Sequence, residues 1–323
     1  RSLDNLALVL ISQGRHAEAE TMLYESLTIL QQVHGDRHAE VASAMQSLGA
    51  VLRGQGKYDQ AEPLYRTALA MRRELLGDDH VDVAQSINSL ALLLQNKNDY
   101  AGAELLFRDA LTTRRRLLGD LHPVVADALN NLANLLHLRG NNAEAEQLHE
   151  EALNMRKKIL GPDHPQIAQS LTSFAAFLFD KGDYAKAEAM YREALPIWRK
   201  SLPAIHTDIA NAAAGLGLVL MAEEEYVEAE SLFRETLAIR EAVLPEGHWQ
   251  RFSVASAIGA ALCGQGKYDD AEKFLIHGYE GLKDQPSAPI KVKQAALERI
   301  VKLYQSWDKP EQAAQWRADS SRK

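Results

Sequence analysis

The sequence has little of several features that common classes of protein require. Only one of its 323 residues is a cysteine, Cys263, so no disulfide framework or cysteine-based metal site is available, and we expect a reducing, cytoplasmic location. No apolar run approaches the roughly 18 residues of a membrane-spanning helix. Positive charge is not in excess, because the formal net charge is −8. This balance argues against nucleic acid or an anionic membrane as the main partner.

Motifs of catalysis are also missing from the sequence. There is no glycine-rich phosphate loop, no His-Arg-Asp loop and no Asp-Phe-Gly, so the sequence contains no protein kinase domain. Asp and Glu are frequent, but they fall mostly on the solvated faces of predicted helices, and Cys263 has no histidine close to it in sequence. We therefore predict that the chain is not an enzyme and binds no cofactor.

What the sequence does have is a repeat of constant length. Each period of 42 residues carries two amphipathic segments, which we call helix A and helix B, joined by a tight turn. An Ala-Glu pair on helix B marks every period: Ala19-Glu20, Ala61-Glu62, Ala103-Glu104, Ala145-Glu146, Ala187-Glu188, Ala229-Glu230 and Ala271-Glu272. An all-helical repeat of this length predicts an all-α solenoid of stacked antiparallel helix pairs.

Two further columns of residues recur in register. Small residues on helix A let the two helices of a pair approach closely, and they are Ala7, Gly49, Ala91, Ala133, Ala175, Gly217 and Gly259. Larger residues on helix B follow its small column, at Leu23, Tyr65, Phe107, His149, Tyr191, Phe233 and Leu275. The turn from A to B carries Gly, Asn or Asp, which tolerate a left-handed backbone, except at Glu224.

The repeats define the predicted organisation of the chain. We predict one solenoid over residues 1–323, with a truncated first repeat at 1–35, repeats 2–7 at 36–286 and a C-terminal capping unit at 287–323. Because the sequence begins inside a predicted helix A, at Arg1 and without a capping residue, we expect a fragment of a longer protein.

These columns resemble the signature positions of the tetratricopeptide repeat. The 42-residue period and segments such as YDQAEPLYRTALAMRRELLGDDHVDVA (58–84) and LNNLANLL (129–136) are similar to the kinesin light chain type of this repeat. The segment LERIVKLYQSWDKPEQAAQWRA (297–318) resembles the end of repeat arrays attached to bacterial protein kinases. The resemblance implies a right-handed superhelix in which the A helices line a concave groove that holds an extended peptide.

Three positions of helix A would face that groove: two and three places before the small residue, and four places after it. They are polar in repeats 2–4 and become apolar along repeats 5–7. In the kinesin light chain type, asparagines at the nearer position bind the ligand backbone, because an amide both donates and accepts hydrogen bonds; Asn5 and Asn131 match here. The predicted polar contacts are Asn88, Gln95, Asn130, Asn131, Asn134 and His137.

Other residues are predicted to supply positive charge and an apolar pocket for the peptide. Arg72, Arg114 and Arg156 of helix B would attract an acidic peptide, since arginine forms paired bonds to carboxylates. Phe179 and Met221 would accept an apolar side chain. The alternative is that the polar residues are merely solvated, and that the arginines favour the dipole of helix B and cover apolar surface with their stems.

A row of histidines recurs in the loop from B to A. One interpretation is a metal site, but stacked helices lie about 8–10 Å apart and zinc holds its ligands at about 2.0–2.3 Å, so the row cannot converge on one ion. We predict no metal, and that each histidine orders its loop and the start of the next helix. The row comprises His38, His80, His122, His164, His206 and His248.

Three functional hypotheses follow. The first is a protein-interaction scaffold that holds an extended, acidic peptide of a partner in its groove. The second is a regulatory or sensor arm of a larger signalling protein, a kinase or an ATPase switch. The third is self-association through the truncated first repeat.

Overall fold

The computed structural model describes residues 16–320, with side chains from residue 17 to residue 318. Within these residues the chain consists of helices and short connections, which confirms the predicted all-α class. Packing divides the chain into two compact units, unit 1 (Arg1–Pro162) and unit 2 (Asp163–Lys323). The predictions at Asn5 and Ala7, and the self-association of the truncated first repeat, lie outside the described residues.

Unit 1 contains seven described helices. Helices with even numbers are A helices and helices with odd numbers are B helices. They are α1 (His16–His34), α2 (Ala39–Gly54), α3 (Tyr58–Leu76), α4 (Val81–Asn96), α5 (Tyr100–Leu118), α6 (Pro123–Leu138) and α7 (Asn142–Ile159). Each A helix packs against the B helix that follows it, as the repeat predicts for antiparallel pairs.

Unit 2 contains eight described helices in the same order. They are α8 (Pro165–Lys181), α9 (Tyr184–Ser201), α10 (Thr207–Ala222), α11 (Tyr226–Val243), α12 (Trp249–Gly264), α13 (Tyr268–Lys283), α14 (Ile290–Ser306) and α15 (Pro310–Ser320). The last pair, α14 and α15, lies within residues 287–323, where a capping unit is predicted, and α14 also packs on α12. No helix of the described residues is long and apolar enough to cross a membrane.

The small and large columns pack against each other within one repeat. A Cβ atom added at Gly49 would lie 3.1 Å from the ring of Tyr65, and one added at Gly217 would lie 2.7 Å from the ring of Phe233. The second distance is shorter than a normal contact, so the aromatic ring fills the space that the glycine leaves. This close packing explains why helix A has a small residue at that position.

The turns from A to B use the left-handed conformation expected of them. Asn98 and Asp308 have φ angles of +63° and +55° in the turns that lack glycine. Glu224 also takes this conformation, with φ of +64°. A residue with a Cβ atom is disfavoured in this conformation, so Glu224 adopts it at a local cost in free energy.

The row of histidines caps the A helices. In all six loops the histidine precedes helix A with an extended backbone, and its Nδ1 accepts a hydrogen bond from the backbone N–H two residues later. The distances are 3.2 Å at His38, 3.1 Å at His80 and 3.3 Å at His248. Each bond satisfies one of the free N–H groups at a helix start. The predicted structural role of the row is therefore found.

Candidate functional site

In unit 1, hydrogen bonds between polar side chains join neighbouring A helices at the predicted contact positions. Asn131 donates from Nδ2 to Oδ1 of Asn88, 3.1 Å away on the preceding A helix. Gln46 donates in the same way from Nε2 to Oγ of Ser89, at 2.9 Å. These bonds join neighbouring repeats, and they occupy part of the hydrogen-bonding capacity that the prediction assigned to a ligand.

The predicted polar residues differ in their accessibility. Asn88 and Asn130 are buried, Gln95, Asn131 and His137 are half-buried, and Asn134 is exposed. Half of the six residues therefore retain partial access to a ligand, one retains full access and two contribute mainly to packing.

Arg72 lies between two A helices rather than in solvent. Its side chain is only 8% exposed, and it donates to Oγ of Ser86 at 2.7 Å, to Oγ of Ser43 at 3.0 Å and to the side chain of Gln46. Burial lowers the pKa of the guanidinium, and the charge of Asp82 opposes that shift. The arginine thus reaches the A helices, and its hydrogen bonds are formed within the protein.

The other two predicted arginines of unit 1 are buried more deeply. Arg114 is 3% exposed and donates to Oε1 of Gln85 at 2.7 Å. Arg156 is 0% exposed and forms an ion pair with Asp127. Burial lowers the pKa of both arginines. These residues supply positive potential beneath the A helices of unit 1 rather than an exposed charge.

Unit 2 contains a cavity of about 510 Å³, which we call the basic cavity. Helices α8, α10, α11, α12 and α14 all contribute to it, and Phe179, one of the predicted apolar anchors, is in its wall. Its lining residues are Phe179, Asp180, Ala214, Leu218, Phe233, Arg240, Ser253, Val254, Ala257, Lys291, Val292, Ala295 and Arg299.

Two arginines of the basic cavity have no carboxylate within 4.0 Å among the described residues. Arg240 donates to the backbone oxygen of Gln250 at 3.1 Å, and Arg299 donates to Oγ of Ser256 at 3.2 Å. Burial lowers the pKa of Arg240 to about 10 and also lowers the pKa of Arg299, where the charge of the adjacent Glu298 opposes the shift. Both side chains therefore carry positive charge at neutral pH, and neither forms an ion pair with a described residue.

A second cavity of about 400 Å³ lies beside Arg299 in the same unit. Met221, the other predicted apolar anchor, lines it together with Cys263 and Lys302. Burial raises the pKa of the Cys263 thiol, which keeps it protonated and unreactive. Phe179 and Met221 thus line two different cavities, and Arg299 is a wall residue of both.

Sequence reasoning missed Arg299 and Lys302, although the repeat contains the signal. Four periods after Asn131 and Asn134, two predicted contact residues, the same positions of the capping unit hold Arg299 and Lys302. Arg240 lies four periods after Arg72 and belongs to the same column of helix B. Both missed residues could have been identified by extending the helix A positions of Asn131 and Asn134 into the C-terminal unit, which the sequence analysis interpreted only as a cap.

Comparisons with known proteins identify the repeat family. The tetratricopeptide repeat model matches residues 1–74, 47–116, 124–200 and 208–284. A search of curated protein sequences finds no match.

Three solved structures share the fold. BtubC (BKLC) from P. vanneervenii has a TM-score of 0.56 at 22% identity, over 72% of this chain and 92% of that one. A Podosopora anserina protein of kinesin light chain type, with nearly identical TPR-like repeats, has a TM-score of 0.51 at 21% identity, over 63% and 96%. The apo form of the quorum sensor NprR from B. thuringiensis has a TM-score of 0.65 at 16% identity, over 98% and 85%.

These identities are low, so the three structures inform on the fold alone. The family model, in contrast, matches the sequence itself over most of its length. Together with the helix pairs repeated every 42 residues, this match shows that the chain belongs to the tetratricopeptide repeat family.

Proposed function

We propose that this chain is a protein-interaction scaffold that holds an extended, acidic segment of a partner protein, with an acidic residue of that segment in the basic cavity of unit 2. Repeats of this family suggest a role in protein–protein interaction. The proposal includes no catalytic step, no cofactor, no nucleic acid and no membrane surface.

The observation that carries the proposal is that neither Arg240 nor Arg299 has a carboxylate within 4.0 Å among the described residues, although burial lowers the pKa of both. A cation that loses water without gaining an opposite charge is destabilised, so a carboxylate from outside would bind there favourably. The planar guanidinium offers two parallel N–H groups that match a carboxylate. Phe179, Leu218 and Val254 line the same cavity and suit an apolar side chain next to the acidic one.

The residues predicted from the sequence take three roles in this proposal. Direct contact is assigned to the half-buried or exposed ones, which are Gln95, Asn131, Asn134 and His137 in unit 1 and, separately, Phe179 and Met221 in unit 2. Asn88 and Asn130 hold the positions of neighbouring side chains, and Arg72, Arg114 and Arg156 contribute potential from below the surface.

The first experiment compares matched peptides. Arrays of extended peptides rich in Asp and Glu are screened beside arrays in which Asn and Gln replace those residues, and the best pairs are titrated at two salt concentrations. We expect the acidic member of a pair to bind at least about tenfold more tightly, and its affinity to fall as salt screens the charges.

Variants of the cavity locate the binding. Arg240→Gln and Arg299→Gln should each weaken the acidic peptides by about tenfold or more, because a charged partner is lost while side-chain length is roughly kept. Arg234→Gln is the matched control, since Arg234 lies on the same helix as Arg240 but is exposed and pairs with Glu230 at 2.7 Å. Equal binding of the neutral peptides, or full affinity in folded cavity variants, would contradict the proposal.

A further inference from the structure

One position of the B-to-A connection departs from the repeat. The residue four places before the capping histidine is leucine in five of the six loops. In the first loop, before His38, this residue is His34. The leucines are Leu76, Leu118, Leu160, Leu202 and Leu244. An apolar residue that packs the end of helix B is thus replaced, in one place only, by a side chain that can bind a metal ion.

The replacement brings three potential ligands together between α1 and α2. Nε2 of His34 lies 3.1 Å from Oε2 of Glu40, and the rings of His34 and His38 stack with their centroids 4.2 Å apart. One ligand atom from each of the three residues lies within 4.8 Å of the others. Among the described residues this is the one group of three His, Cys, Asp or Glu side chains that is so close.

We propose that His34, His38 and Glu40 bind a divalent transition-metal ion of the zinc class. Two imidazole nitrogens and one carboxylate oxygen form a ligand set that zinc accepts, with water in the remaining position. Stacked rings direct their lone pairs along parallel planes, so the imidazoles must turn about χ2 to meet at one ion. His34 is exposed, which leaves its ring free to turn. The argument from the histidine row does not apply here, because His34 is not a member of that row.

Metal binding has a structural consequence at the start of α2. Nδ1 of His38 accepts the capping hydrogen bond from the N–H of Glu40 at 3.2 Å. A neutral imidazole has a single nitrogen with a free lone pair, so His38 cannot cap the helix and bind the ion at the same time. The ion therefore releases the Glu40 amide from its cap, and this change distinguishes the proposed site from binding elsewhere on the surface.

The next loop of unit 1 is a natural two-ligand counterpart. Nδ1 of His80 lies 3.7 Å from the carboxylate of Asp82, but Leu76 stands in the third position. Substitution Leu76→His would complete a second set of three ligands with the same spacing in sequence. The hypothesis can therefore be tested with one variant that removes the metal site, His34→Leu, and one that adds a second site, Leu76→His.

The test is a calorimetric titration of ZnCl₂ into the tag-free chain. We expect one site in the wild type and binding weaker by about tenfold or more in His34→Leu and in Glu40→Gln, because each variant removes one ligand. Each variant introduces the residue that another repeat has at the same position. His34→Leu matches Leu76, and Glu40→Gln matches Gln166. Leu76→His is expected to add a second site.

Amide hydrogen exchange provides the second measurement. Zinc should accelerate exchange at the Glu40 amide in the wild type and leave it unchanged in His34→Leu. The proposal is overturned if the wild type fails to bind zinc below about 1 mM, or if folded His34→Leu and Glu40→Gln bind it as tightly as the wild type. Stoichiometric binding without any change at the Glu40 amide would also overturn it.

Discussion

Asn131 and Asn88 hydrogen-bond to each other across two neighbouring A helices, with 3.1 Å between Nδ2 and Oδ1. The same pair of positions is joined in two other places, by Gln46 with Ser89 and by Arg299 with Ser256. A contact that recurs at one spacing is a property of the repeat rather than of one site. The A helices are thus linked by hydrogen bonds between the positions at which contacts to a peptide are predicted.

Removal of this bond should cost stability. In Asn131→Ala, the buried Oδ1 of Asn88 loses its donor, so the free energy of unfolding should fall by about 1 kcal/mol. Urea denaturation measures the change. Asn134→Ala, on the same helix but exposed, is the control and should change the value by less than about 0.5 kcal/mol. Equal effects of the two substitutions would show that the bond contributes nothing.

Glu224 should be replaceable with a gain in stability. Its φ of +64° costs a residue with a side chain about 1 kcal/mol, and glycine avoids that cost. We expect Glu224→Gly to raise the free energy of unfolding by about 0.5–1 kcal/mol. Glu225→Gly is the matched control, because Glu225 has an ordinary φ of −83° and glycine relieves no left-handed strain there. A loss of stability in Glu224→Gly would mean that the conformation carries no strain.

The fold was predictable because each repeat carries the same pattern of small, large and turn residues. A constant period, two small columns and turn residues in register determine helix pairing, and the end of each A helix follows from them. The environment of the arginines was not predictable in this way. The sequence shows that Arg72 and Arg240 share a column, but only packing reveals that Ser43 and Ser86 surround the first and that the second lines a cavity.

The capping histidines should each contribute to helix stability. His122→Ala removes the acceptor for the N–H of Val124, 3.2 Å from Nδ1, and should lower the free energy of unfolding by about 1 kcal/mol. His122→Asn is the control, since asparagine is a favourable capping residue and should restore most of the loss. Thermal or urea unfolding measures both variants. If Asn is no better than Ala, the contribution of His122 lies in packing and not in the cap.

His149 should make stability depend on pH. Burial, and secondly the charge of His137, lowers its pKa from 6.5 to about 4. Because the folded pKa is below the unfolded one, the contribution is fully present above pH 6.5 and is lost as the pH falls towards 4. The loss should reach up to about 3 kcal/mol, since one unit of pKa corresponds to about 1.4 kcal/mol.

The control for His149 is available from the repeat itself. Phe107 and Phe233 occupy the same column, so His149→Phe should fold and should lack this part of the pH dependence. Urea unfolding at pH 7 and at pH 4.5 gives the change in the free energy of unfolding for each protein. The contribution of His149 is the difference between the two changes, because the acidic groups common to both proteins cancel. Because the buried histidine has lost its water, protonation is favoured in the unfolded protein, where the pKa is higher. Identical pH profiles for wild type and variant would show that protonated His149 is tolerated in the folded state.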